Sequence, residues 1–308
     1  MSKARNISAL STVEVGATTD QTKADIDALG INGFNKNWVI NGGFDIWQRS
    51  TSAAQPNGGF VADRWKGNNY VNGTFTFSKR TDATGQTFKT YGRLAQSSAG
   101  NQAAQQGIMQ YIEGNYLVGK TITVSFKARA NAPLNNCKCR GIISVQTFNL
   151  TTSFVKHSFT ATAIADGANT RLIFDFGLEN TTWHVDIAEV QVEVGSVATD
   201  FEHLTYAENL LACQRYYYKY DHSGLSDAVY LTSPYSAASH DGSLPNSSQS
   251  GAYWLPVPMR ANPTCTATLS AGSASRVTSN GRVVVVQQSS STANQAIYAT
   301  IVTADAEL

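Results

Sequence analysis

Residues 183–194 read WHVDIAEVQVEV, and this stretch decides the fold class. Val185 and Ile187 alternate with polar neighbours, whereas the valines of the following VQVEV alternate in the opposite phase. Alternation with a period of two is typical of a strand with one buried face. Because the phase slips by one residue, we predict a β-bulge near Ala188–Glu189.

Three further stretches carry the same alternation: TFTFSK at 74–79, TITVSFKAR at 121–129 and RLIFDF at 171–176. No long helical pattern separates them, and short strands at such spacing argue for an antiparallel sandwich or jelly roll. We therefore predict a mainly β fold. It comprises a jelly-roll β-sandwich, a short helix and a second C-terminal β domain, with an N-terminal extension.

The predicted domain boundaries follow the changes of pattern along the chain. We assign 1–36 to an N-terminal attachment or oligomerisation arm, 37–204 to the jelly-roll sandwich, 205–220 to a helix–strand connector and 221–308 to the C-terminal β domain. In the arm, Ile26 and Leu29 lie on one face of a short predicted helix, which is marginally stable alone. We therefore expect a partner, or copies of the chain in a homotrimer, to order it.

The connector begins with TYAENLLACQ, in which Thr205 and Glu208 have the spacing of a capping box. This spacing predicts a helix over about 206–214. The following RYYYKY is typical of a strand, and its aromatic surface has three open interpretations: a sugar-stacking platform, a core, or a domain or subunit interface. Its position between two domains favours an interface formed by Tyr216, Tyr217 and Tyr218.

The C-terminal region contains one long Ser/Gly/Pro-rich segment, SPYSAASHDGSLPNSSQSG at 233–251. Loops of this length in compact domains are usually functional or disordered. The unbroken valine run at 283–286 predicts a strand that is buried on both faces. AIYATIVTADAEL at 296–308 predicts a last strand.

Composition limits the classes of function. The 308 residues are 42% apolar and 15% charged, and the net charge of +1 steers the chain neither to nucleic acid nor to anionic membrane. No apolar run approaches the ~20 residues that span a bilayer. The N-terminus lacks the apolar segment of a secretory signal, so we expect synthesis in a cytosol and release by lysis or assembly.

Four cysteines form neither a disulfide framework nor a zinc motif, which predicts free thiols at Cys137, Cys139, Cys213 and Cys265.

Catalytic motifs are absent from the sequence: it has no H-E-x-x-H, no G-x-S-x-G, no P-loop and no Rossmann fingerprint. The five histidines are scattered without metal-ligand spacing. Carboxylates such as Asp45, Asp63 and Glu113 have no pattern that distinguishes them from the other acidic residues. We therefore predict that the protein is not an enzyme.

NGGFDIWQRS at 41–50, together with ADRW at 62–65, resembles the N-terminal strand of carbohydrate-binding jelly rolls. The resemblance implies a structural calcium ion that ties Asp45, near the first strand, to Asp186 on a late strand. Oxygen ligands from two strands would pin the edge of a sandwich. The alternative is that both aspartates are solvated or hydrogen-bonded residues of strand ends.

Trp47, Trp65 and Trp183 invite a sugar-stacking interpretation, because an aromatic ring complements the C–H face of a pyranose. Aromatic residues in β-sandwiches are more often part of the core, and we predict core positions for Trp47 and Trp65. Asp63 and Arg64 are predicted to form a structural ion pair beside them.

VQVEVGSVATDFEHLTYAENLLACQRYYYKY at 190–220 resembles a recurring segment of bacteriophage tail fibres and related receptor-binding proteins. NWVINGGFDIWQRS, ADRW and LPVPMRANPT resemble further parts of the same proteins. The resemblance implies a protein of the virion tail, synthesised in the host cytoplasm, that is normally a homotrimer. It also implies contact with the host surface. We further expect the N-terminal arm to attach to another tail or baseplate protein, and the ligand to be host polysaccharide or lipopolysaccharide. The resemblance implies no enzyme activity, and the charge and hydropathy described above predict no nucleic-acid partner and no membrane insertion.

We therefore expect a tail-fibre or receptor-binding subunit that adheres to host-surface glycans. Two alternatives are open: a structural tail or baseplate spacer without receptor binding, and a small capsular polysaccharide depolymerase or esterase. Loss of polymer viscosity would reveal the depolymerase, and failure to bind host cells would reveal the spacer.

A receptor site should be exposed and carried by a loop. The segment 230–253 of the C-terminal, receptor-facing domain has this character. In it Tyr235 would stack on a sugar ring, and hydrogen bonds to hydroxyls would come from His240, Asp241, Asn246 and Gln249. If this segment does not bind, the next candidates are three tyrosines of the jelly roll that we expect to be exposed: Tyr70, Tyr91 and Tyr116.

Overall fold

The computed structural model describes residues 36–54, 58–68, 74–98, 106–167, 169–176, 183–221, 248–269, 274, 276–289 and 299–308. The chain divides into two units, Met1–Asn37 and Trp38–Leu308, and every element below belongs to the second. The fold is mainly β, as the alternation predicts, with one α-helix in the described residues.

Eleven strands of the described residues form the first part of this unit. They are β1 (Ser52–Ala54), β2 (Lys66–Gly67), β3 (Thr74–Arg80), β4 (Tyr91–Ser98), β5 (Gly107–Ile112), β6 (Thr121–Ala130), β7 (Leu134–Gly141), β8 (Gln146–Leu150), β9 (Val155–Thr162), β10 (Thr170–Asp175) and β11 (Trp183–Val194). A six-stranded sheet has the order β1–β3–β4–β11–β6–β9, and a five-stranded sheet has the order β2–β5–β10–β7–β8. Neighbouring strands pair antiparallel, which confirms the predicted sandwich.

An aromatic core fills the space between the two sheets. Phe77 and Phe126 come from the six-stranded sheet, Phe174 comes from the five-stranded sheet, and all three are buried. Trp65 is fully buried and stacks on Phe44, with 4.9 Å between the ring centroids. Trp47 and Trp183 are also buried in this core. The predicted core positions of Trp47 and Trp65 are therefore confirmed, and Trp183 lies in the same core.

The predicted bulge in β11 is present. The register of β11 against β6 shifts between Ala188 and Gln191, and Glu189 has a φ of 49°. Before the shift Val185 and Ile187 face the core, and after it Val190 and Val192 do. One extra residue therefore keeps both apolar sets of this strand on the buried face.

The connector begins with helix α1 (Tyr206–Gln214). The Thr205 hydroxyl accepts a bond from the Glu208 backbone N–H at 3.3 Å, and Glu208 Oε2 accepts from the Thr205 N–H at 2.9 Å. The predicted capping box and helix are therefore confirmed. The helix buries Asn209 and Cys213.

Six further strands follow: β12 (Tyr217–Asp221), β13 (Ser248–Trp254), β14 (Thr264–Leu269), β15 (Arg276–Ser279), β16 (Val283–Ser289) and β17 (Ala299–Asp305). They form two three-stranded sheets, with the orders β12–β17–β14 and β13–β16–β15. The boundaries of the predicted C-terminal domain stay a prediction. A second cluster of buried residues, which includes Val284, Val286 and Val302, lies among these strands.

Two predictions about this region are wrong. The valine run is not buried on both faces, because Val284 and Val286 are buried while Val283 and Val285 are partly exposed. The long loop does not reach residue 251, because 248–251 already belong to β13 and pair with β16. In both cases pairing with a distant strand decides the outcome, and the local pattern does not contain that information.

A polar junction joins the first segment of the sandwich to the end of the chain. Arg64 pairs with Glu307, and Asp63 lies 3.7 Å from Arg49. The prediction that Asp63 and Arg64 pair with each other is therefore wrong. Arg64 adopts a positive φ of 71°, and its side chain contacts other residues than that of Asp63 does.

The four cysteines are free thiols, as predicted, and three of them are fully buried. No helix in the described parts of the chain has the length and apolar character that crossing a membrane requires.

Candidate functional site

Much of the predicted receptor site lies outside the described residues. This holds for Tyr235, His240, Asp241 and Asn246. The predicted interface residues Ile26 and Leu29 of the arm and the reserve candidate Tyr70 also lie outside the described residues. Gln249 is in β13, where its backbone lies opposite Gln288, so it belongs to a strand and not to a loop. The receptor-binding loop therefore stays a prediction.

The two described reserve candidates differ. Tyr91 is fully buried, so the expectation that it is exposed is wrong. Phe88 and Phe154 pack against its ring at centroid distances of 6.3 and 5.4 Å and close it off from solvent. Tyr116 is 71% exposed, as expected.

The predicted calcium ligands have other partners. Asp186 is fully buried and receives Arg93 Nε at 2.6 Å on Oδ1 and Arg129 Nε at 2.8 Å on Oδ2. Asp45 accepts a hydrogen bond from Thr90. Two guanidinium groups repel a cation, and calcium needs six to eight oxygen ligands. The described residues contain no cluster of three ligand-type side chains. These aspartates therefore do not fit a calcium site, and Asp186 matches the alternative of a hydrogen-bonded strand residue.

The predicted interface tyrosines lie at the junction. The Arg64 guanidinium lies 3.6 Å from the centre of the Tyr216 ring, and that of Arg49 lies 3.5 Å from the Tyr217 ring. Both rings are buried. Tyr218 packs against the C-terminal cluster of buried residues. With its ring faces covered, this surface does not present a stacking platform for a sugar, and subunit contacts of these tyrosines stay a prediction.

A groove of about 530 Å³ lies on the outer face of the six-stranded sheet. Its floor includes Ser125 and Lys127 of β6 and Glu189 of the β11 bulge. One wall comes from Thr87, in the connection between β3 and β4, and the other comes from the segment 200–203. Lys156 of β9 also lines the groove, which therefore gathers residues from five separate parts of the chain.

Polar side chains of β11 hold the second wall in place. Gln191 Oε1 accepts from the Glu202 N–H at 2.9 Å, and Gln191 Nε2 donates to the Asp200 carbonyl at 3.3 Å. Glu193 accepts from the backbone N–H of Thr199 at 2.9 Å and from its hydroxyl at 2.7 Å. The polar positions of VQVEV thus fold the following segment back over the sheet. The alternation was visible in the sequence, but the partner of its polar face was not.

Glu189 is the central charged group of the groove. Its carboxylate lies 2.9 Å from Lys127 Nζ, accepts from the Thr87 hydroxyl at 3.3 Å and lies 3.9 Å from His203 Nε2. Glu189 is 8% exposed and has the left-handed φ of the bulge. A non-glycine residue in this conformation costs on the order of 1–3 kcal/mol, and such strain is concentrated at functional sites. Sequence analysis predicted the bulge but did not single out this carboxylate.

A second cavity of about 190 Å³ continues the groove, since both are lined by Thr87, Glu189, Phe201 and His203. It extends to Asp45 and Lys89. The combined surface offers carboxylate acceptors, ammonium and hydroxyl donors and aromatic rings. Such a set suits a ligand with many hydroxyl groups and an apolar face.

No family model matches the chain, and no curated protein sequence matches it. Among solved structures, a CBM4 structure is 22% identical, covers 50% of this chain and 98% of that chain, and has a TM-score of 0.36. A xylan-binding domain from Paenibacillus barcinonensis is 13% identical over 48% of this chain and 94% of that chain, with a TM-score of 0.31. The enzymatically active domain of tailspike protein 4 of bacteriophage CBA120 is 14% identical, covers 52% of this chain and 21% of that chain, and has a TM-score of 0.34. Likenesses of this size say nothing about what this chain binds.

Proposed function

We propose that this chain is a tail-fibre or receptor-binding subunit of a virion, and that it adheres to host-surface glycans through the groove at the β11 bulge. The observation that carries the proposal is the position of Glu189. A buried carboxylate in a strained conformation faces a groove that also contains Lys127, His203 and Phe201.

The chemistry of the groove suits sugar hydroxyls. A hydroxyl can donate to Glu189 and accept from Lys127, while the Phe201 ring offers an apolar surface to the C–H face of a pyranose. Because Lys127 and Thr87 already orient Glu189, little rearrangement is needed when a ligand binds. Buried polar groups also reject ligands that leave them unpaired.

The segment 190–220, which resembles a segment of phage tail fibres, provides a second argument for the same proposal. Asp200, Phe201 and His203 of this segment line the groove. The residues that carry the resemblance are therefore the residues that build one wall of the candidate site.

The proposed protein acts by avidity. We propose that it is a homotrimer, made in the host cytoplasm and attached through its N-terminus to another protein of the virion tail. Three weak sites around one axis gain about 10²–10⁴-fold in apparent affinity without new contacts. Light scattering of the full chain at micromolar concentration tests this, and a monomer would contradict it.

Adhesion is tested with labelled protein on a panel of bacterial strains and on polysaccharide extracted from each strain that binds. Glu189→Gln keeps the size of the side chain, and His203→Ala removes a 62% exposed side chain. We expect each to reduce binding at least tenfold, and the exposed position of His203 should leave the melting temperature of His203→Ala unchanged. Val197→Ala is the control, because Val197 is 70% exposed and does not line the groove. Equal binding by all variants would contradict the role of the groove.

A structural spacer is the second candidate, and the junction favours it. Arg49, Arg64 and Tyr217, which belong to the segments that resemble phage proteins, contact other parts of the same chain. A spacer would bind none of the strains. We further propose that the protein is not a depolymerase, so polysaccharide incubated with it should keep its viscosity.

A further inference from the structure

A separate pocket, of about 360 Å³, lies beside β5 and the connector. Its lining includes Trp38, Tyr111, Glu113, Tyr116, Arg215 and Tyr216. None of the residues that line the groove belongs to it. Four aromatic rings and three charged side chains, those of Arg64, Glu113 and Arg215, thus meet at a place that the adhesion groove does not use.

Tyr116 is an exposed ring with a defined position. Gly114 has a φ of 72°, and a Cβ atom at this glycine would lie 2.7 Å from Cε2 of Tyr116. The ring therefore rests directly over the glycine, which only a residue without a side chain permits. It remains 71% exposed. A ring held in this way loses little entropy when a ligand stacks on its open face.

Glu113 and Arg215 form the polar edge of the pocket. Arg215 Nη2 lies 3.2 Å from both carboxylate oxygens of Glu113, and the Tyr216 hydroxyl donates to Oε2 at 2.9 Å. Burial raises the pKa of Glu113, but the hydrogen bonds from Tyr216 and Arg215 outweigh it and hold that pKa below its ordinary value. The carboxylate is therefore ionised at neutral pH and can accept further hydrogen bonds.

Arg64 adds a buried donor to the lining. It is 2% exposed, its Nη2 donates to the Tyr111 carbonyl at 2.7 Å, and its other terminal nitrogen pairs with Glu307. Its Nε is buried and has no hydrogen-bond partner among the described residues. An unsatisfied buried donor is unfavourable, so a ligand oxygen that reached it would be stabilised.

We propose that this pocket binds one neutral hexopyranose unit of a glycan, with Tyr116 stacked on the sugar ring and with Glu113 and Arg215 bound to adjacent hydroxyls. A neutral sugar fits because each guanidinium already has a carboxylate partner: Arg215 has Glu113, and Arg64 has Glu307. An adjacent acceptor and donor match hydroxyl groups, which both donate and accept. The inference rests on the proposed glycan adhesion and adds a subsite to it.

The test is saturation-transfer NMR of the full chain with the methyl glycosides of glucose, galactose, mannose and N-acetylglucosamine. We expect transfer to the ring protons of at least one glycoside. Tyr116→Ala should reduce this transfer at least fivefold, whereas Tyr116→Phe should keep it, because the ring is retained. Tyr206→Ala is the control, since Tyr206 is 63% exposed on α1 and does not line the pocket.

The outcomes separate this inference from the proposed function. If no glycoside receives saturation, or if Tyr116→Ala behaves like the parent, the pocket proposal is overturned even when cells are bound. Transfer that is lost in Glu189→Gln and kept in Tyr116→Ala would place the sugar in the groove, which also overturns it. Transfer that depends on Tyr116 supports the pocket, including the case in which no bacterial strain is bound and the adhesion proposal fails.

Discussion

At the scale of single residues, the junction buries a carboxylate. Asp63 is fully buried, and burial raises its pKa to about 6, although hydrogen bonds from Gln48 and the charge of Arg49 act in the opposite direction. The folded protein therefore takes up a proton at a pH where the unfolded chain, with its ordinary value of 3.8, does not. For such a group, the free energy of unfolding decreases as pH rises from about 4 to about 6.

Asp63→Asn should remove this dependence. We expect the stability of the parent, measured relative to the variant, to fall by on the order of 2 kcal/mol between pH 4 and pH 7.5. Denaturant unfolding at a series of pH values measures it. Asp82→Asn is the control. Hydrogen bonds from Arg80 and Tyr91 hold the pKa of the exposed Asp82 below its ordinary value. The difference in the free energy of unfolding between this variant and the parent should therefore stay constant above pH 5. A constant difference for Asp63→Asn as well would contradict the raised pKa.

At the scale of elements, local interactions set where each strand and helix begins. Helix α1 starts at a capping box made by two residues three positions apart. The bulge in β11 follows from a phase slip that is visible in twelve residues. At the end of the same strand, the groove wall depends on Gln191 and Glu193, whose bonds reach 6 to 11 positions further along the chain.

Thr205→Ala removes one side of the capping box and should lower the free energy of unfolding by about 0.5–2 kcal/mol. Thr205→Ser keeps the hydroxyl and should melt close to the parent. Thermal unfolding of the three proteins measures the effect. The cap would be shown to be unimportant if the alanine and serine variants melted at the same temperature as the parent.

At the scale of the whole molecule, the junction ties the first and last described segments together. Arg49 contacts Asp63, Asp305 and Glu307 and lies over the Tyr217 ring. Arg64 reaches Glu307 across 243 positions of the sequence. The C-terminal strands therefore depend on residues near the start of the sandwich for their place in the fold.

Arg49→Ala should lower the free energy of unfolding by about 3–5 kcal/mol, because it leaves the fully buried carboxylate of Asp63 without its cation. We also expect unfolding to separate into two transitions, the first in the C-terminal strands. Calorimetry detects both effects. Arg80→Ala, which breaks the exposed pair with Asp82, is the control and should cost less than about 1 kcal/mol. A single transition at the parent temperature in Arg49→Ala would contradict this role of the junction.

The amino-acid sequence by itself determined the mainly β fold, the bulge near Glu189, the helix 206–214 and the core positions of Trp47 and Trp65. These features depend on periodicity and on interactions over a few residues, and both can be read from a short stretch of sequence. The residues of the candidate site could be predicted less well. A groove or a pocket is formed by distant segments of the chain, and the sequence does not show which of them meet. Glu189 with Lys127, and Arg64 with Glu307, became partners only through strand pairing and the return of the chain end. Only the tertiary structure decided these contacts, because the free energy of a buried ion pair depends on distance and solvent exclusion, and separation along the chain determines neither.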